Sequence, residues 1–161
     1  CAADLTVSAY IPEGYVPSAE QRMDLYRRIA ALRDNEGAAE LTDELLDRYG
    51  DVPKAVTALL DVALLRSAAA KVGVCDITQR GTQLIFSFGP QPAFGAITAV
   101  GAMAAYRQRL QLSATAQPKL TLYLQPKEEA LSAAGKLVEE LALRHEEPAQ
   151  TKAGNFKEEQ P

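Results

Sequence analysis

Glu40, Asp43, Glu44 and Asp47 fall within one short run, Glu40-Leu41-Thr42-Asp43-Glu44-Leu45-Leu46-Asp47-Arg48-Tyr49-Gly50. Wound as a helix, the run gathers these carboxylates on one arc and Leu41, Leu45, Leu46 and Tyr49 on the other. Gly50 then stops it, because glycine takes the left-handed conformation after a helix without a Cβ penalty. Grouped carboxylates can serve as acid–base catalysts, hold a cation, or dock a basic partner. Catalysis needs a concave, water-poor pocket that shifts a pKa, and a convex helix face does not supply one. The spacing also differs from that of an EF-hand or a zinc site. Docking is left, set against a solvated helix face of the same composition.

Other chemistry finds little support. No Gly-rich phosphate loop of the G-x-x-x-x-G-K-[ST] or G-x-G-x-x-G type is present. The single histidine, His145, sits near the end of a helical run, where it suits the last carbonyls better than a role as a base. Cys1 and Cys75 form no recognisable spacing for a metal motif or a disulfide framework, and Cys75, in an apolar run, reads as core. The residues therefore point to no catalytic, cofactor-binding or metal site. Arg22, Arg27, Arg28 and Arg33 form a basic series that reads alternatively as an accessory nucleic-acid-binding patch. A net charge of −4 opposes that reading. The neighbouring acidic helix also offers these arginines ion-pair partners.

The elements that position these groups follow from periodicity. At 161 residues, 47% of them hydrophobic, the chain is expected to build one core. Residues 4–17, with Pro12 and Pro17, read as a strand or extended segment on which Tyr10 and Tyr15 pack. Ser18 with Gln21 is a capping box, opening a helix with Leu25, Tyr26, Ile29 and Leu32 inward and Met23 off the stripe. Asp34-Asn35-Glu36-Gly37 reads as a break before the acidic helix. Pro53 opens an apolar helix over 54–72 that Gly73 ends.

A hairpin is expected next, with strands over 74–79 and 83–88 around Arg80-Gly81-Thr82. A helix over 94–107, strands over 109–114 and 119–125, and a helix over 126–145 complete the pattern. The expected fold is α+β, with helices packed on one face of a small, mainly antiparallel sheet. The domain is placed at 1–146, with a polar, flexible tail over 147–161. No apolar run approaches the roughly 20 residues that span a bilayer, and a reducing cytoplasm is the expected location. Opening without methionine at Cys1-Ala2-Ala3-Asp4, the chain reads as a piece of a larger protein.

Several motifs in order carry a specific resemblance. They are Ala9-Tyr10-Ile11-Pro12, Tyr15-Val16-Pro17, Gln21-Arg22-Met23, Leu25-Tyr26-Arg27-Arg28-Ile29-Ala30, Asp43 through Gly50, Pro53, Leu59-Leu60 and Leu64. Over about residues 4–88 the chain resembles the C-terminal domain of bacterial transcription-repair coupling factors. The resemblance implies a parent that is an ATP-driven DNA translocase, with ATP and Mg in motor domains outside this chain. It implies that the parent displaces stalled RNA polymerase from DNA and recruits nucleotide excision repair by binding its damage-recognition protein. It further implies that this domain is regulatory and not itself an enzyme, clamping onto the parent's N-terminal repair-recruitment module and restraining the motor. The family's D-E-L-x-D-R-[FY]-G motif maps onto Asp43 to Gly50, so Glu44 and Asp47 are expected to meet arginines of that module, with Glu40 and Asp43 widening the patch. Arg48 is expected to form an internal ion pair.

Overall fold

In a computed structural model, residues 2–89, 102–103, 105–113 and 117–143 are described. The elements run β1 (Ala2–Asp4), α1 (Ala19–Ala30), α2 (Asn35–Tyr49), α3 (Lys54–Lys71), β2 (Val74–Arg80), β3 (Gln83–Phe88), a 3-10 turn (Arg107–Arg109), β4 (Leu110–Ser113) and β5 (Lys119–Tyr123). A further helix, α4, covers residues 130–143. The fold is α+β, with helices packed against a mostly antiparallel sheet, as the periodicity implies.

The five strands lie in the order β1-β2-β3-β5-β4. Only β1 runs parallel to its neighbour, pairing Ala3 with Ile77, so the sheet is mixed. The β2–β3 hairpin pairs Arg80 with Gln83 around the two-residue loop Gly81-Thr82. Gly81 has φ +59° and Thr82 does not, the pattern of a type II′ turn. Alternation along β3 buries Leu84, Phe86 and Phe88 on one face, and Leu120 and Leu122 of β5 share it. The last part of α3 and the Ala133, Ala134, Leu137, Val138 and Leu141 face of α4 cover that sheet face.

A second apolar cluster stands beside the first. Leu25 and Ile29 of α1, Leu41 and Leu45 of α2, and Val56, Leu60 and Ala63 of α3 enclose it with Ile11 and Val16. Thus α3 is shared, its first half serving the helical cluster and its second half the sheet. The hydroxyl of Tyr26 accepts a hydrogen bond from the Ile11 N–H at 2.8 Å, pinning the incoming segment to α1.

Several expectations need correction. The incoming segment is a strand only at Ala2–Asp4. Its prolines and buried Ile11 and Val16 direct the remainder over the helices, leaving Tyr10 half exposed to solvent. Asp34 does not break the chain before a later helix but caps α2 directly, its side chain accepting from the Gly37 N–H at 2.8 Å. Cys75 is exposed, because an irregularity in register between Val74 and Asp76 interrupts the inward–outward alternation. Helix α4 begins near 130 and not at 126, since Lys127 adopts φ +66° in the preceding turn. The helix expected over 94–107 falls largely outside the described residues, as do His145 and the 147–161 tail.

Candidate docking surface on the acidic helix

Helix α2 is fixed at both ends before its surface is considered. Asp34 caps its N-terminus, and at the other end the Gly50 N–H donates to the Leu46 carbonyl at 3.1 Å. Gly50 has φ +89° and ψ −160°, which is not the left-handed helical conformation expected but a region open essentially to glycine alone. This geometry turns the Gly50 carbonyl towards Tyr15. The single proton of the Tyr15 hydroxyl is shared between the carbonyls of Gly50 at 2.9 Å and Leu45 at 3.2 Å. Burial, with the nearby Asp51 charge and Tyr49, pushes the Tyr15 phenol upward, so it stays a donor. The Tyr15 and Tyr49 rings pack 5.6 Å apart.

Two clasps hold α2 against α1. The Arg28 guanidinium donates to the Glu44 carboxylate at 2.5 Å, and the Tyr49 hydroxyl donates to the Gln21 side-chain carbonyl at 2.8 Å. The hydrogen bond from Arg28 pulls the Glu44 carboxyl below its usual range, helped by the charges of Arg28 and Arg48. The same contact raises Arg28.

The four carboxylates nominated in the sequence therefore separate into two kinds. Glu44 lies on the α1 flank and is half-buried by its clasp. Glu40, Asp43 and Asp47 point outward, exposed, and none has a cation within ion-pair distance among the described residues. Their i, i+3 and i+7 spacing lines them along one face. Leu46 is not on the apolar arc where the sequence placed it: it is 44% exposed, about 100° around the helix from buried Leu45. A helical-wheel reading centred on Leu41 and Leu45 carries that signal. Arg48 has no ion-pair partner among the described residues either. Its guanidinium lies 5.2 Å from the Tyr49 ring centroid, a cation–π contact in place of the expected internal ion pair.

The basic series of α1 is similarly divided. Arg22 donates to the Val16 and Pro17 carbonyls and pairs loosely with Glu13, and Arg28 is held by Glu44. Only Arg27 and Arg33 stay uncommitted among the described residues, which breaks up the patch that nucleic-acid binding would use. Among the same residues no group of three or more His, Cys, Asp or Glu side chains could hold a metal ion, and no helix is long and apolar enough to cross a membrane.

The geometry defines a small α+β domain whose outstanding surface is a capped helix with an acidic face that is unpaired among the described residues. Comparison with known proteins is specific. Residues 5–96 match the model of the TRCF domain, and the chain belongs to that family. It is 40% identical over 75 residues to the transcription-repair-coupling factor of Mycobacterium bovis, covering 47% of this chain and 6% of that protein. The corresponding protein of Bacillus subtilis is 40% identical over 76 residues, 47% of this chain and 6% of that protein. For that of Escherichia coli the figures are 34% over 71 residues, 44% and 6%. The matched part thus spans only a small fraction of these relatives' length. A crystal structure of the C-terminal domain of transcription-repair coupling factor shares the fold, with a TM-score of 0.78 and 24% identity, covering 91% of this chain and 94% of that one.

Proposed function

We propose that this TRCF domain is a regulatory docking module that holds a larger transcription-repair coupling factor in its resting state. The observation that carries the reading is the exposed face of α2, where Glu40, Asp43 and Asp47 have no counter-ion among the described residues and lie beside an exposed Leu46. Carboxylates at an interface rim confer orientation and salt sensitivity, and a single apolar side chain among them supplies a small dry contact. The occupant is the N-terminal repair-recruitment module of the same protein, presenting arginines. Tethering in one chain lets a contact of modest strength act as a latch, through effective concentration. Release follows when the ATP-driven motor engages stalled RNA polymerase and DNA, exposing the surface that receives the damage-recognition protein of excision repair.

Glu44 takes a different part in this scheme from Asp47. Its carboxylate is already held by Arg28, so it orients α2 and shapes the edge of the face, whereas Asp43 and Asp47 are free to meet the partner. Resting ATPase of the full-length protein tests the reading. Asp43→Lys with Asp47→Lys should raise it while leaving the fold intact; ATPase that stays at its resting level means that the acidic face is not the latch.

A further inference from the structure

A concave site on the other helices has the opposite charge. Where the C-terminal end of α1 crosses the middle and end of α3, a cavity of about 420 Å³ is lined by Arg33, Arg66 and Lys71, with Ser67 and several alanines between them. Among the described residues no carboxylate lines it. None of its three cations has an ion-pair partner among the described residues. Placement at helix C-termini accounts for Arg33 and Lys71, since cations there complement the helix dipole. It does not account for Arg66, which lies in the interior of α3 with its Nε buried and without a hydrogen-bond partner. A buried donor left unmade carries a cost. The connection between α1 and α2, residues 31–34, is anchored to α3 because the Ser67 hydroxyl donates to the Arg33 carbonyl at 2.9 Å.

We propose that this pocket binds the dianionic phosphate of a small phosphate monoester. Two guanidiniums offer planar forks that match oxyanions, and a lysine adds a point charge. A carboxylate, with one charge, leaves most of the site unneutralised. A phosphate monoester carries about −1.5 to −2 near neutral pH and three acceptor oxygens, one for each cation. The cavity also exceeds what a bare phosphate needs, and its alanine walls suit the organic group that the phosphate esterifies. A nucleic-acid backbone fits less well: each phosphodiester carries one charge, and its neighbours would cross a chain of net charge −4. The site shares no residue with the acidic face of α2.

Titration calorimetry on the whole 161-residue chain at low salt, with inorganic phosphate, adenosine 5′-monophosphate and acetate as probes, tests the assignment. Phosphate and the nucleotide should each bind once, about tenfold tighter than acetate. Arg33→Gln and Lys71→Gln should each weaken both by about tenfold, with thermal melting unchanged, while the exposed Arg27→Gln has no effect. The Arg66 Nε–Hε resonance should move on phosphate addition, a readout that does not depend on a variant folding. Absence of both heat and resonance shift overturns the proposal, as does acetate binding as tightly as phosphate. Equal weakening by Arg27→Gln overturns it as well. So does a single-stranded oligonucleotide without a terminal phosphate that binds as tightly as the nucleotide and depends equally on Arg33, since that would assign the pocket to a nucleic-acid backbone.

Discussion

Arg28 of α1 holds Glu44 of α2 across a 2.5 Å charge-assisted hydrogen bond. This contact decides how the acidic helix is divided. It turns one carboxylate of the motif towards the domain itself and leaves Glu40, Asp43 and Asp47 facing solvent. Substitution at Glu44 therefore acts on the helix pair as well as on any docking partner.

Glu44→Gln should lower the melting temperature slightly at neutral pH, and by less than any core truncation, because the half-buried pair is still open to solvent and salt. Its folded carboxyl value is depressed, so its contribution is present above the unfolded carboxylate range and is lost as pH falls through the lower, folded value. Melting curves of the two proteins should converge in acid. A difference that persists below the carboxylate range would show that the lost contact is not ionic.

Glu44→Lys should be worse than Glu44→Gln, since it places a third cation beside Arg28 and Arg48. Asp47→Lys removes no hydrogen bond or ion pair among the described residues and should melt as the unsubstituted chain does. Thermal denaturation thus reads the α1–α2 clasp, and a docking defect in Asp47→Lys at unchanged melting temperature would be separate from it.

The Tyr15 hydroxyl satisfies carbonyls at the end of α2. Tyr15→Phe should cost about 1 kcal/mol, the usual net worth of such a bond. Hydrogen exchange should quicken first in the last turn of α2, with the sheet amides unaffected. Leu45→Ala, in the same cluster, should cost about 2–5 kcal/mol, and Phe86→Ala under the sheet about 3–5 kcal/mol.

Asp61 lines the clefts between α3 and α4, where partial burial raises its carboxyl. An acid whose folded value is raised stabilises the fold most below its unfolded value and less as pH rises through the folded one. Asp61→Asn should thus raise the melting temperature at neutral pH, and the gain should vanish in acid. An unchanged or lowered melting temperature at neutral pH would contradict it.

Much of this fold is legible in residue order, for identifiable reasons. The Ser18 cap predicts α1, whose Ser18 side chain accepts from the Gln21 N–H. The glycine-bearing turn before Leu84-Ile85-Phe86 and the alternation in Leu120-Thr121-Leu122 predict two strands that do pair, Leu84 opposite Leu122. The parallel β1 was not legible, because three residues without alternation gain strand character only from the neighbouring β2. Nor was the division of helices between two clusters, since α3 is apolar around most of its circumference and gives no single face. At the candidate site, the sequence places the carboxylates on one helix and suggests arginine partners. It cannot say that Arg28 reaches Glu44 whereas Arg48 turns to Tyr49, because that depends on the crossing of α1 and α2. The Arg66 pocket was missed for the same reason: Arg33 and Arg66 are far apart in sequence and meet only where two helices cross.

Calorimetric binding of this chain to the N-terminal repair-recruitment module, at low and then moderate salt, tests the docking role most directly. Binding is expected to be salt-sensitive, and Asp43→Lys with Asp47→Lys should weaken it roughly two- to thirtyfold, the worth of two rim ion pairs. Binding that ignores both salt and the double reversal would contradict that role and place the interface elsewhere on the domain.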